Sequence, residues 1–404
     1  MKHITEKIYI SIFIIFLISI PILSFLVPED DFSLFEFRNL AEVPEFKPEK
    51  LLNAEYFNEW ENYFNDHIFA RTKLLSLHTK LNMKLGKPVI NDTVITEDGL
   101  LPFNGFPVTS HKVLTKALKP IEKNIVRLKN ACDKYDAKFF VVGIPEQSSI
   151  LFDSYPELLK LPKRKRLAQR YFFPMLERNN IDYINMYDYF SQMDYKQFYS
   201  KVDHHYNYFG AYETYTKIVN KISEISDYNI TPLTKDEIDF VKIDLPFHGS
   251  RSRKLFGSYS NSENLYIGYP KVQIPFTRTD NGVEQPAELF KIPTEDYATY
   301  PVYMGGDIGE TIIRTERYEV CPDVLLIGDS FTNPIETLLY YHCNEFRSLD
   351  FRHYKYCSVE QYLHDVHPDI VIYLRDDGSF YQQDGNGEMN FHMDDKKKSN
   401  KKNK

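Results

Sequence analysis

The chain has 404 residues, 43% of them hydrophobic, and a formal net charge of −8. That length supports one large α/β domain or two smaller ones, and the acidic balance excludes nucleic-acid binding by bulk electrostatics. Cys132, Cys321, Cys343 and Cys357 show no CxxC pair and no metal spacing, so no metal is expected.

In chain order, Ile8 to Val27 is uncharged and almost wholly apolar. At helical rise it spans about 30 Å, the thickness of a hydrocarbon core. Lys2 and Lys7 precede it and Glu29, Asp30 and Asp31 follow, which puts the N-terminus in the cytoplasm and the body outside. No Ala-x-Ala site precedes Pro28, so a retained anchor is expected over a cleaved signal. A proline-spaced tether leads to Tyr56, Phe57, Trp60, Tyr63 and Phe64 at helical spacing; Asn65-Asp66-His67 interrupts, and Arg71 opens a further helix through Leu85.

His111 to Tyr135 reads as a long amphipathic helix. Lys138 to Ile144 is a short apolar run of the kind buried on both faces of a parallel sheet, with Pro145-Glu146-Gln147 at its C-terminal end. The basic run Lys163-Arg164-Lys165-Arg166 opens the next helix, Ile181 to Met186 is a strand, and Tyr208 to Ile222 a helix. From Thr231 to about Thr315 helical periodicity disappears and short β-branched and aromatic pieces alternate with turns, among them Tyr259 to Ser262 and Gly305-Gly306-Asp307. Asp323 to Ile327 is a strand running into Gly328-Asp329-Ser330, followed by a helix, and Asp369 to Leu374 is the last strand. Alternating strands and helices with buried strands predict a doubly wound α/β frame.

Two stretches carry chemistry. Val202-Asp203-His204-His205-Tyr206 supplies an acid and two imidazoles, and Gly328-Asp329-Ser330 supplies a serine at a strand-to-helix turn. A serine hydroxyl needs a base within hydrogen-bond reach, and that base needs an orienting carboxylate. In an extended loop residues two apart share a side, so Asp203 and His205 are expected to meet while His204 points away. The N–H of Ser330, and a backbone N–H near Gly305 and Gly306, are the candidate oxyanion donors. Read singly, the first stretch also suits a metal site or a cap, and the second an ordinary helix entry capped by Asp329 or Ser330.

Together these pieces resemble the DHHW proteins of bacteria, relatives of the alginate O-acetyltransferases with an SGNH-hydrolase-like domain. The matching residues are Asp203-His204-His205-Tyr206 with Gly210-Ala211-Tyr212, Leu326 to Phe331, Phe64 to Arg71, Tyr303 to Asp307, and Leu349-Asp350-Phe351-Arg352. Tyr206 stands where the family name has Trp. The resemblance implies an SGNH-hydrolase-like three-layer α/β/α sandwich. The residues themselves divide the chain into 1–28 as cytoplasmic N-terminus and transmembrane anchor, 29–100 as tether and helical region, and 101–381 as the α/β domain, with about 231–315 either a β-rich insertion or a set of long loops on one face of the sheet. Residues 382–404, Lys-rich and with little to bury, are expected to be disordered.

By the same resemblance Ser330 is the nucleophile, His205 the base and Asp203 its partner. Gly305, Gly306, His204, Tyr206, Asp329 and Arg352 are the candidates around the oxyanion and substrate. The implied activity is extracytoplasmic acetyl transfer to a cell-surface or exported polysaccharide without a cofactor, fed by a membrane-bound O-acyltransferase. An acetyl esterase using the same triad, and a non-catalytic glycan-binding or assembly protein, are the alternatives.

Overall fold

The apolar run near the N-terminus forms helix α1 (Lys2–Leu26). From Glu6 to Leu26 its mean hydropathy is 2.6, and it is long and apolar enough to cross a membrane. Its last turn is tied to the next two helices, α2 (Glu55–Asp66) and α3 (Arg71–Lys84). Ser24 Oγ accepts the N–H of Phe69 at 2.8 Å, and the rings of Phe25 and Phe64 meet edge to face, 5.7 Å between centroids. Asp66 closes α2 as a hub. Arg38 donates to both its oxygens at 2.7 and 2.5 Å and the N–H of Ala41 adds a third bond at 2.9 Å. The Arg38 guanidinium holds the Asp66 carboxyl down, at about 2. His67 stacks on Tyr63, 4.4 Å between centroids, and bonds the Ala41 carbonyl at 2.9 Å, which is a packing role.

The computed structural model describes residues 2–27, 31–103, 110–160, 166–260 and 262–394. They fall into two units, Met1–Thr93 with Ser250–Asn261, and Val94–Gly249 with Ser262–Lys404. Residues 28–30 after α1, the basic run 163–165, Asn261 of the expected turn and the lysine tail from 395 lie outside the described residues.

The second unit is a mixed α/β fold around one sheet. Its helices and strands are α4 (His111–Lys134), β1 (Lys138–Ile144), β2 (Asp182–Asn185) and α5 (Tyr208–Ile225). Then come β3 (Ile238–Lys242), β4 (Tyr266–Pro270), β5 (Thr277–Asp280), β6 (Val283–Gln285) and β7 (Glu310–Arg314). The chain closes with β8 (Val324–Ile327), α6 (Asn333–Leu339), β9 (Glu345–Leu349), α7 (Val359–Val366) and β10 (Ile370–Asp376). The eight-stranded order is β6-β5-β7-β9-β8-β10-β1-β2.

The five strands from β9 to β2 are parallel, in registers such as Val324↔Ile370, Ile370↔Lys138 and Phe140↔Asp182. β8 and β10, and β1 from Phe140 on, are buried on both faces, which is why they read as unbroken apolar runs. Val141, Leu325, Ile327, Val371 and Tyr373 pack with Leu118, Ile121, Ile125 and Leu128 of α4 and with Val359 and Leu363 of α7. α5 meets α6 and the turn beyond it through Tyr208 Oη on Thr337 Oγ1 at 2.9 Å and Tyr215 Oη on His342 at 2.6 Å. Burial pulls the His342 imidazole down to about 4.

The stretch from about 231 to 315 carries strands: β7 pairs antiparallel with β9, β5 and β6 continue outward from it, and among the described residues β3 and β4 pair with each other. One expectation changes. The chain from Gln382 was expected to be disordered, and through Asp394 it is packed. Asn386, Met389, Asn390 and Phe391 are buried. The physical reason is both apolar and polar: Met389 and Phe391 join the core that packs on the sheet. The amide of Asn386 accepts the N–H of Phe351 at 2.8 Å and donates to the carbonyl of Gly328 at 2.7 Å, satisfying backbone groups at the ends of two strands.

Candidate active site

β8 delivers four buried apolar residues and then stops at Gly328. A side chain there would lie 2.2 Å from Thr332 Cγ2, so the turn closes only around glycine. Asp329 fixes the turn: its carboxylate accepts the N–H of Phe331 at 3.1 Å and its carbonyl accepts from the N–H and hydroxyl of Thr332 at 2.8 and 2.9 Å. Ser330 is thereby held just outside the C-terminal edge of the sheet, where open α/β sheets place their ligands. Its own N–H donates to no group among the described residues.

The second stretch is the tip of a tight loop. Tyr199 bridges Tyr206, and the N–H of Asn207 donates to Phe198 at 2.9 Å. Asn207 then caps α5 with its side chain, accepting from Phe209 and Gly210 at 3.0 and 3.1 Å. Inside the loop, Ser200 Oγ accepts the N–H groups of Val202 and Asp203 at 3.2 and 2.9 Å. Gln147, buried after β1, donates to the carbonyls of Ser200 and Asp203 at 2.6 and 2.8 Å. Asp203 and His205 are both buried.

The loop and the turn meet. Asp203 Oδ1 lies 2.6 Å from His205 Nδ1 and 3.1 Å from the His205 N–H that donates to it; His205 Nε2 lies 2.7 Å from Ser330 Oγ. Each ring nitrogen of His205 therefore has one partner, a carboxylate on one side and a hydroxyl on the other. The ring lies flat on Tyr300, 3.7 Å between centroids and 8° between planes, with Phe331 against it at 4.8 Å. Chemically, a carboxylate, an imidazole and a hydroxyl in series can move a proton off the hydroxyl as it attacks an electrophile.

Several solved structures superpose on most of this chain. PatB1 from Bacillus cereus, solved with a sulfonyl adduct, matches with a TM-score of 0.58 at 19% identity, over 71% of this chain and 95% of its own. A DHHW family protein from Eubacterium siraeum matches with a TM-score of 0.57 at 14% identity, over 74% of this chain and 95% of its own. The fold is DHHW-like. The O-acetyltransferase domain of Pseudomonas putida AlgJ superposes more loosely, with a TM-score of 0.46 at 10% identity, over 72% of this chain and 92% of its own. No protein family and no curated protein matches the sequence.

In this DHHW-like chain the expected site residues divide. Asp203, His205 and Ser330 are brought together. His204 does not point away: its Nδ1 is 3.5 Å from the same Asp203 oxygen and its ring is 3.7 Å from that of His205. The alternation expected of an extended strand fails because residues 201–205 bend instead of extending. Tyr206 is buried, and its hydroxyl donates to the carbonyl of Phe331, tying the histidine loop to the serine turn. The N–H of Gly306 is taken by the carbonyl of Tyr303 at 3.1 Å, in a turn where both glycines have positive φ. Arg352 donates to both oxygens of Asp350, at 2.5 to 3.0 Å, and to Asp307 at 2.9 Å, and Asn333 donates to Asp307 at 3.2 Å. Burial, with Asp376 nearby, pushes the Asp329 carboxyl up to about 6, although Arg375 and Arg352 pull it the other way.

Several residues of the site carried no signal in the sequence. Tyr300 stands three residues ahead of the Tyr303 to Asp307 stretch and looks like any loop tyrosine, yet it touches both the imidazole and the serine backbone. Glu263 accepts the N–H of Lys201 at 2.7 Å, and burial pushes its carboxyl up to about 7. With Asp203, Tyr206, Phe209, Tyr300 and Tyr303 it lines a cavity of about 240 Å³ behind the Asp203 carboxylate. Only the Gln147 stretch had a usable cue, its place at the C-terminal end of a buried strand.

Proposed function

We propose that this chain is a membrane-anchored, extracytoplasmic O-acetyltransferase that modifies a cell-surface or exported polysaccharide. Ser330 is the nucleophile, His205 the general base and Asp203 the carboxylate that orients it. The single observation that carries this is the hydrogen-bonded series from Asp203 through His205 to Ser330, at 2.6 and 2.7 Å. In the first half-reaction His205 takes the proton of Ser330 as its Oγ attacks an acetyl carbonyl, and the tetrahedral oxyanion meets the unengaged N–H of Ser330. The donor leaves with the proton, and acetyl-serine remains. In the second, His205 takes the proton of a sugar hydroxyl as its oxygen attacks the acetyl carbonyl; the bond to Ser330 Oγ breaks, and His205 returns the proton to that oxygen.

The surrounding fold is the SGNH-like α/β/α sandwich, and α1 is a single-pass anchor with the N-terminus in the cytoplasm. Lys2 and Lys7 before the apolar run and Asp31 after it support that orientation. A membrane-bound O-acyltransferase is the donor partner. The experiment is discharge of the acetyl-enzyme. Loaded with a labelled acetyl ester, the full chain should lose its label faster when an acceptor glycan is added than in buffer. Equal loss in both identifies water as the acceptor and makes the enzyme an esterase.

A further inference from the structure

Helix α3 exposes a stripe of leucines that a helix serving only the protein core would bury. It turns polar residues inward: Thr79 is 0% exposed and Asn82 7%, and Ser76 packs against Ser258, with 3.1 Å between the hydroxyls. Asn91 donates to Thr79 Oγ1 at 3.3 Å and to the Lys254 carbonyl at 2.8 Å, closing the polar side. Leucines along one side face out, while Leu75 on the other is half-buried. Leu74, Leu77, Leu81 and Leu85 are 49%, 64%, 53% and 65% exposed. At about 100° per residue these four fall within one arc of roughly 80°. Lys73, Lys80 and Lys84 fall in the adjoining arc, and α3 has no acidic residue.

An exposed leucine stripe bordered by lysines sets apolar side chains beside cations, a pairing that acyl chains and anionic headgroups can take up together. The position of α3 gives the second, independent argument. The N–H of Phe69, two residues before α3, donates to Ser24 in the last turn of α1, and Phe25 of that turn packs on Phe64 of α2. The stripe thus begins where the apolar α1 ends.

We propose that the leucine face of α3 lies on the membrane surface, with its leucines among the acyl chains and its lysines at anionic headgroups. The full chain then touches the bilayer twice, through α1 and along α3. This rests on α1 crossing the membrane. It adds that the leucine face is immersed in lipid and does not wait for a protein partner.

The test uses the full-length chain with the half-exposed Cys357 changed to Ser, reconstituted into vesicles of phosphatidylcholine and phosphatidylglycerol. An environment-sensitive dye is placed on Leu77→Cys or Leu81→Cys, positions whose exposure keeps the fold undisturbed. Lipids carrying a nitroxide near the headgroup end of the chain should quench the dye, with blue-shifted emission. A higher phosphatidylglycerol share should deepen the quenching. Water-like emission without quenching overturns the proposal. So does blue-shifted emission without quenching, which puts a protein partner or a second copy on the stripe. A dye on Phe13→Cys in α1 separates the two claims: quenching there without quenching on α3 refutes the α3 contact and leaves the anchor standing, while quenching at neither site refutes both.

Discussion

The ring of Tyr300 covers one face of His205 at 3.7 Å, and its hydroxyl donates to the carbonyl of Ser330 at 2.8 Å. One side chain thus sets the plane of the proposed base and the height of the proposed nucleophile. Tyr300→Phe keeps the stack and loses one hydrogen bond, a loss of about 1 kcal/mol or roughly fivefold in rate. Tyr300→Ala also frees the ring to tilt, and kcat should fall about a hundredfold with KM little changed. Steady-state kinetics on an acetyl ester separates the two. Equal losses would mean that only the hydrogen bond matters.

The two histidines share one carboxylate but not one role. Only His205 reaches Ser330, so His205→Ala should cost about a thousandfold or more in kcat. His204, 40% exposed at its side chain and 3.5 Å from Asp203, supports the carboxylate from outside. His204→Ala should cost about tenfold, the scale of one lost exposed contact to a charged group. The reverse ranking would move the base to His204.

Gly249 is a positioning element that no motif announces. A Cβ there would sit 2.4 Å from the Val202 carbonyl oxygen and 2.8 Å from the Asp203 nitrogen, backbone atoms that cannot swing aside. Gly249→Ala should displace the Asp203 loop and lower kcat by about a hundredfold, the cost of a misplacement near 1 Å. A crystal structure of the variant should show the Asp203 to His205 contact lengthened.

Asp329 makes stability depend on pH. Its folded value, about 6, lies above the ordinary 3.8, so the folded state holds a proton that the unfolded chain releases. Stability from this group is therefore full below pH 4 and falls as pH rises towards 6. Asp329→Asn keeps an acceptor for the Phe331 N–H and has no charge to bury. It should melt higher than the wild type at pH 7.5, by an amount equivalent to about 1–2 kcal/mol, and show a smaller advantage at pH 4.5. Melting curves at both pH values check the sign.

The buried strands, their order along the chain and the strand-to-turn exit at Gly328 were legible because burial on both faces forces apolar runs of strand length. Asp203, His205 and Ser330 were legible as a set because an activated hydroxyl needs a base, and that base a carboxylate, beside it. What was not legible depends on where the chain returns to. Asn386 lies in a Gly-Asn-Gly turn that looks solvated, and it is buried because its amide satisfies a carbonyl 58 residues away. His204 was misplaced because strand alternation was applied to a bend. Tyr300 and Glu263 come from a stretch without periodicity, where nothing local fixes which side faces the site.

If Ser330 is an acyl-accepting nucleophile activated by His205, it should be trapped covalently. Intact-mass analysis and peptide mapping after brief exposure to an activated acetyl ester or a sulfonyl fluoride, applied to wild type, Ser330→Ala and His205→Ala, read this out. The wild type should take one adduct, mapped to the peptide holding Ser330, with none on Ser330→Ala and a much slower reaction on His205→Ala. A folded wild type that takes no adduct, or one that is labelled equally well without the Ser330 hydroxyl, would contradict it.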